Sequence, residues 1–309
     1  MIRMRDVVLA FDVGGTYIKA GLVGADGSLL GSPQVYPARS GEKKEALLRH
    51  LANLVDIQGK LVPPERGIRG VGLAFPGPFD YERGICLTRG LNKFEALYGV
   101  NLREELTARV AAIPGLASRW SGTPAVAIEN DAALFALGEY AFGAGRSREK
   151  TMYLTLGTGL GSAFVNRGRL VKQGEGVPEE GWLYRLPYRD GVLDDYFSRR
   201  GIVRLAEEMG VPQVAHGDED VKLLAARARD GEMQVVQLFR QFGEKLSEAL
   251  LPWIGSFQPD EIVIGGQIAK SADLFVSGRL GGVPVRIAAD TSISALRGAS
   301  RLFTDVQRE

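Results

Sequence analysis

The sequence predicts an α/β protein of two domains, and three observations carry that expectation. Its 309 residues exceed what one hydrophobic core usually supports. Strand-like and helix-like hydrophobic periods alternate along the chain. One design, an apolar strand that folds back through glycine and threonine into a second strand, occurs twice, at Asp12-Val-Gly-Gly-Thr16 and at Leu156-Gly-Thr-Gly-Leu-Gly161. Two halves of like pattern imply duplicated α/β domains.

In the first half, strands are expected over 7–13, 17–23 and 28–36, joined by glycine turns that include the hairpin signal Asp26-Gly27. Leu47, Leu48, Leu51 and Leu54 recur at helical spacing and predict a helix over 43–57. A strand over 69–75 stops at Pro76-Gly77-Pro78, an irregular segment runs to about 99, and a helix follows over 101–112. The stretch 114–124, rich in Gly, Ser and Pro, is read as the linker, which puts the first domain at 1–120 and the second at 121–290. The second half then reads as a strand over 125–128, a helix over 131–141, and strands over 151–156 and 162–165 around the second turn. A helical insertion over 193–256 precedes a buried strand at 261–264 ending in Gly265-Gly266, a strand over 283–288 and a helix over 294–303. That last helix is expected to pack back on the first domain and add 291–309 to it.

Composition narrows the function classes. Lys and Arg total 38 against 37 Asp and Glu, interspersed, so no basic stripe argues for a nucleic-acid partner. Cys86 is the only cysteine, which excludes an internal disulfide, argues against a Cys-based zinc site and points to a cytoplasmic protein. The opening Met1-Ile-Arg-Met-Arg5 places basic residues before an apolar run as a secretory signal would, but the run is short and Asp12 breaks it. No apolar stretch reaches the about 18 residues of a spanning helix, so a soluble protein without a membrane partner is expected. His50 and His216 fall in expected surface helix or loop with no partner signal, and neither is given a catalytic role.

The glycine turns offer backbone N–H groups and a threonine hydroxyl to an anion, with no Cβ in the way. Two ordinary tight hairpins would carry the same signal. No Gly-x-x-x-x-Gly-Lys-Ser/Thr occurs, and the residues after Thr16 alternate like a strand, so neither a P-loop nor a dinucleotide fingerprint fits. Asp131, in the first turn of a helix, is held ionised by the helix dipole and suits a proton acceptor, although a plain helix cap looks the same. Asp12, at a strand end, can hold Mg²⁺ through water or simply start a turn.

Together with Gly72-Leu-Ala-Phe-Pro-Gly-Pro78, Asp80, Glu129-Asn-Asp-Ala132 and Gly265-Gly266, these turns resemble the ROK sugar kinases, a branch of the actin-like and hexokinase-like superfamily. The resemblance covers essentially the whole chain. It implies a two-domain actin-like/ribonuclease H-like fold with an interdomain active-site cleft, and an ATP-dependent hexose kinase acting on a monosaccharide hydroxyl, O6 by default. It puts the base on Asp131 and sugar ligands on Asn92, Asn130 and Glu179. It gives the ATP phosphates to Gly14, Gly15, Thr16, Thr158 and Gly159, the adenosine to Gly265 and Gly266, and Mg²⁺, through water, to Asp12. A homodimer is common among such relatives.

The acceptor side departs from that family. Members usually carry Gly-Glu-x-Gly-His and then a cysteine-rich zinc segment; here the chain reads Pro178-Glu-Glu-Gly-Trp182 and Asp190-Gly-Val-Leu-Asp194, so no structural zinc is expected. Trp182 offers one N–H donor and a flat face for a sugar ring, or else core packing in place of the zinc clip. Asp194 stands where the family has a sugar-contacting glutamate, one methylene shorter. Ala133 replaces an asparagine of the catalytic motif. Three other readings stay open: a polyphosphate-using glucokinase, whose second phosphate turn resembles Thr155 to Ala163; an inactive sugar sensor; and a regulator. Regulators of this fold carry a helix-turn-helix ahead of the first strand, for which a strand beginning near residue 7 is expected to leave no room.

Overall fold

A computed structural model describes residues 6–146, 148–212 and 219–304. His216 and the basic N-terminal residues 1–5 lie outside the described residues. The chain forms two compact units, Met1–Phe142 with Ser292–Glu309, and Gly143–Thr291. Among the described residues no helix is long and apolar enough to cross a membrane.

The first unit contains β1 (Val7–Val13), β2 (Tyr17–Gly24), β3 (Gln34–Pro37), α1 (Lys44–Leu61), β4 (Ile68–Phe75), a small hairpin of β5 (Phe79–Asp80) and β6 (Ile85–Cys86), α2 (Leu102–Ala111), β7 (Val126–Asn130) and α3 (Asp131–Phe142). The sheet runs β3-β2-β1-β4-β7. β1 pairs antiparallel with β2 and parallel with β4, and β4 pairs parallel with β7. β1 and β4 are covered on both faces, which is why they read as almost unbroken apolar runs. β3 is shorter than expected, because Gly31, at φ +83°, and Pro33, which lacks an N–H, interrupt the pairing between Gln34 and the isolated bridge of Leu29 to Val23 on β2.

Two expectations for this unit need correction. The segment 114–124 is not a linker: Pro114–Arg119 is a short 3₁₀ helix, and Arg119 Nη2 donates to the carbonyls of Val62, Pro63 and Arg66 at 2.9, 2.8 and 3.2 Å. Because β7 then pairs in register with β4, the first unit extends to Phe142 and not to residue 120. His50 is not a surface residue. It is buried on α1, and its Nε2 donates to the Pro37 carbonyl at 2.8 Å, tying the helix to the end of β3.

The second unit contains β8 (Lys150–Leu156), β9 (Leu160–Asn166), β10 (Arg169–Leu170), the hairpin β11 (Pro187–Tyr188) and β12 (Gly191–Val192), then α4 (Leu193–Tyr196), α5 (Arg199–Glu208), α6 (Asp220–Arg229) and α7 (Met233–Phe257). β13 (Glu261–Gly265), β14 (Arg279–Leu280) and β15 (Val283–Ile287) complete it. Its sheet runs β10-β9-β8-β13-β15-β14; the antiparallel flank β10-β9-β8 followed by parallel β13 and β15 repeats the plan of the first unit, and β14 adds an antiparallel edge. The helical insertion buries Phe197, Phe239, Phe242 and Leu246 against it. Where zinc ligands would follow in the family, Tyr188 packs edge-on against Tyr196 and tilted against Phe197, at ring centroids of 4.8 and 5.3 Å. Among the described residues no group of three or more His, Cys, Asp or Glu could hold a metal ion.

The last helix, α8 (Thr291–Arg301), returns to the first unit. There it crosses α3 with backbones in contact. A Cβ at Gly138 would fall 1.8 Å from the Ser294 carbonyl, and one at Gly298 would fall 1.8 Å from the Leu134 carbonyl. Ser294 Oγ donates to the buried Glu139 carboxylate at the same crossing. On β4, Gly70 and Gly72 leave the space that Phe303 and Ala299 fill.

Candidate active site

Parallel register brings the candidate residues of the first unit to one sheet edge. Asp12 on β1 pairs with Ala74 on β4, and Ala74 with Glu129 on β7, so the three strands end together. Beyond that row lie the turn 14–16, the Pro76-Gly77-Pro78 segment and Asp131. Two strand spacings of about 4.8 Å put Asp12 and the end of β7 about 10 Å apart. The carboxyl ends of parallel strands are where open α/β sheets bind ligands.

The first turn is held from behind. Gly14 N–H donates to the Tyr17 carbonyl at 2.9 Å, Ala38 N–H to the Thr16 carbonyl at 2.8 Å, and Ser40 Oγ to the Gly15 carbonyl at 2.5 Å. Thr16 is left exposed at its tip, with Asp12 half-buried beneath it. A Cβ at Gly14 would stand 3.0 Å from the Tyr17 carbonyl, and one at Gly15 would stand 3.1 Å from Lys93 Cδ.

Asn130 and Asp131 divide the work at the start of α3. Asn130 Oδ1 accepts from the N–H groups of Ala132 and Ala133 at 2.9 and 3.3 Å, so Asn130 is the helix cap. Its Nδ2 donates to Tyr81 Oη at 3.2 Å, Tyr81 Oη donates to the Phe75 carbonyl at 2.7 Å, and the same amide also hydrogen-bonds the Asp131 carboxylate. Asp131 Oδ1 accepts from Ala132 N–H at 2.9 Å. The carboxylate is exposed to solvent, yet protein crowds it at longer range, and this desolvation raises its pKa above the ordinary carboxylate value. Ala132 N–H, the charge of Lys93 and the Asn130 amide act in the opposite direction without reversing the shift. Asn92 is exposed on the loop before Lys93, at φ +54°, with its N–H donating to Glu95 Oε1 at 2.9 Å.

In the second unit the candidate residues again gather at the ends of adjacent parallel strands. β8 ends in the turn 157–159, where Thr158 and Gly159 are exposed, and β13 ends in Gly265, paired with Thr155. Gly266, at φ +94°, lies so close to that strand end that a Cβ would stand 2.1 Å from the Leu156 carbonyl; its N–H donates to Thr291 Oγ1 at 2.6 Å. Asp194 is engaged with the turn itself. Its Oδ1 accepts from Leu160 N–H at 2.6 Å and its Oδ2 pairs with Arg200 at 2.6 Å. Arg199 N–H donates to the Gly157 carbonyl at 2.8 Å from the same side.

Glu179 and Trp182 stand apart from this turn, on a 3₁₀ segment fastened to β9, where Ser162 Oγ donates to the Gly181 carbonyl at 2.7 Å. Glu179 is exposed and pairs with Arg185, a residue that no motif signalled. The Arg185 guanidinium also lies 5.2 Å from the Trp182 ring centroid, and Tyr184 packs on the same indole at 5.9 Å. Trp182 is thus half-buried and carries a cation on its face; it is not a buried core plug.

The sequence profile of the ROK family matches residues 8–280. The chain belongs to the ROK family. Its fold is that of the ROK kinases, an actin-like ATPase fold: it superposes on a ROK glucokinase from Streptomyces griseus, solved in complex with glucose and AMPPNP, with a TM-score of 0.72 at 23% identity over 96% of this chain and 98% of that one. Among ROK proteins it is similar to the glucokinase of Thermotoga maritima, 28% identical over 289 residues that cover 86% of this chain and 84% of the glucokinase. It is also similar to a ROK regulator, the xylose repressor of Caldicellulosiruptor bescii, at 24% identity over 87% of this chain and 68% of the repressor.

Proposed function

We propose that the protein is an ATP-dependent hexose kinase in which Asp131 is the base that receives the proton of the acceptor hydroxyl, O6 in a glucose-like sugar. The observation that carries this reading is the shared sheet edge: an exposed carboxylate with a raised pKa stands at the end of β7, level with the anion-ready turn at the end of β1. A pKa nearer the working pH suits a group that must take up a proton. The same features favour a kinase over a repressor or an inactive sensor, since sugar binding alone needs no such base. AMPPNP in the S. griseus relative supports ATP as donor.

In this reading the turns 14–16 and 157–159 hold the phosphates, and Gly265 and Gly266 let the backbone approach the adenosine. Asn92, Glu179 and Asn130 orient the sugar. Asp12 fits Mg²⁺: one half-buried carboxylate beside a phosphate turn suits an ion that keeps most of its waters and takes one or two protein oxygens. When bound, that ion would neutralise phosphate charge. Trp182 and Arg185 replace the histidine and zinc clip of relatives and give the acceptor pocket an aromatic and cationic wall.

A screen of glucose, N-acetylated hexosamines, fructose and allose with ATP and Mg²⁺ tests the proposal, with polyphosphate as a second donor. Formation of a 6-phosphate from at least one sugar, seen by ³¹P NMR, is expected; no product from any pairing would overturn it. Because Asp194 braces the phosphate turn, Asp194→Ala is expected to raise the KM for ATP about tenfold while the KM for the sugar changes less than threefold. Losing a charge-assisted hydrogen bond of about 1.5–3 kcal/mol underlies that figure. An effect confined to the sugar KM would restore Asp194 to the acceptor pocket.

A further inference from the structure

We propose that Lys93 is a catalytic residue of this site, its ammonium touching the phosphoryl group in transit beside Asp131; this rests on the kinase reading above. Lys93 is tied to the first phosphate turn through a short covalent and hydrogen-bonded path. Ser40 Oγ donates to the Gly15 carbonyl at 2.5 Å, and the Ser40 carbonyl accepts from Phe94 N–H at 2.7 Å. Phe94 is fully buried, with its ring 5.0 Å from that of Phe75 on β4, so the residue beside Lys93 is anchored in the core. Asn92 and Phe94 both sit in the left-handed region, at φ +54° and +55°, and fix the loop around Lys93.

The side chain then crosses the turn. Lys93 Cδ stands 3.1 Å from the place a Cβ would take at Gly15, so the absence of that Cβ lets the stem lie over the turn. Its charge reaches Asp131, where it favours the ionised form. Among the described residues no carboxylate lies within ion-pair distance of its ammonium, so the charge is not already consumed by a salt bridge. A half-buried cation whose stem lies against the phosphate turn and whose charge is felt at the base is placed where a transferred phosphoryl group gathers negative charge.

The step balances without a new bond to Lys93. The acceptor oxygen attacks the γ-phosphorus and its proton passes to the Asp131 carboxylate. The bond from the γ-phosphorus to the bridging oxygen breaks, and ADP keeps the electron pair. Lys93 contributes charge alone, which arginine can supply and a neutral residue cannot.

The test compares Lys93→Met and Lys93→Gln with Lys93→Arg, using the sugar that the wild type turns over best. Both neutral variants are expected to lose about 100-fold in kcat, with the sugar Kd from calorimetry within twofold of wild type. Lys93→Arg should recover at least tenfold of that loss. The acidic limb of the kcat/KM profile should move to higher pH in the neutral variants, because a charge that favours ionised Asp131 is gone. An active wild type whose neutral variants, folded by circular dichroism, keep kcat within threefold would overturn Lys93 alone. A wild type inactive on every sugar would overturn the kinase reading, and the catalytic role with it.

Discussion

Asp131→Asn is expected to lower kcat about 10²- to 10⁴-fold while raising the melting temperature at neutral pH. The two side chains have nearly the same size, and the helix cap belongs to Asn130, so the exchange leaves α3 in place. Crowding by the surrounding protein raises the native pKa of Asp131 above its unfolded value of 3.8, so the native state binds the proton more tightly than the unfolded state does. The stability this contributes is complete below the unfolded pKa and is lost as pH rises through the native one. At pH 7 the wild type therefore carries an ionised group that its surroundings disfavour, and the asparagine variant does not. Thermal unfolding followed from pH 3 to 8 should show a gap in favour of the variant at neutral pH that closes on acidification. An active variant would remove Asp131 from the chemistry, and a less stable one at pH 7 would contradict the electrostatic account.

The helix crossing of α3 and α8 should be the least forgiving point of the first unit. Gly298→Ala is expected to destabilise the protein by about 3 kcal/mol or more, measured by chemical denaturation, because the new methyl meets the Leu134 carbonyl at 1.8 Å. Backbone cannot rotate out of the way as a side chain can. Gly138→Ala attacks the same contact from the other side, so the double variant should cost less than the sum of the two. Gly255 on α7 supplies the contrast: a Cβ there has nothing within 4 Å. Gly255→Ala should be neutral or stabilising by up to about 1 kcal/mol, the helical preference of alanine over glycine. Equal effects at the two helical glycines would mean that propensity, not contact, governs both.

Local sequence signals carried most of the architecture, and long-range pairing limited the rest. Alternating periods and glycine turns located the strands flanking both turns, because those signals reside within a few residues. The segment 114–124 has the composition of a linker; only the reach of Arg119 to carbonyls more than fifty residues earlier makes it part of the first unit. Asp194 could be aligned by motif, but its partner Leu160 lies 34 residues away, and nothing near Asp194 points to it. Lys93 was in plain view beside Asn92. What makes it significant, Gly15 and Ser40, is distant in sequence and adjacent only once β1 and β4 have paired. The pairing of Glu179 with Arg185 sits six residues apart, yet it follows from a 3₁₀ turn with Glu180 at φ +58°, a conformation the sequence did not announce.

The return of α8 also fixes an order of events during synthesis. The first unit is interrupted by the whole of the second, and its β4 keeps Gly70 and Gly72 bare for Phe303 and Ala299. A ribosome delivers those two residues only after all of Gly143–Thr291 has emerged. The unit translated first is therefore the unit finished last. Until then it must persist as a sheet with an open seam, while the inserted unit already has every strand it needs.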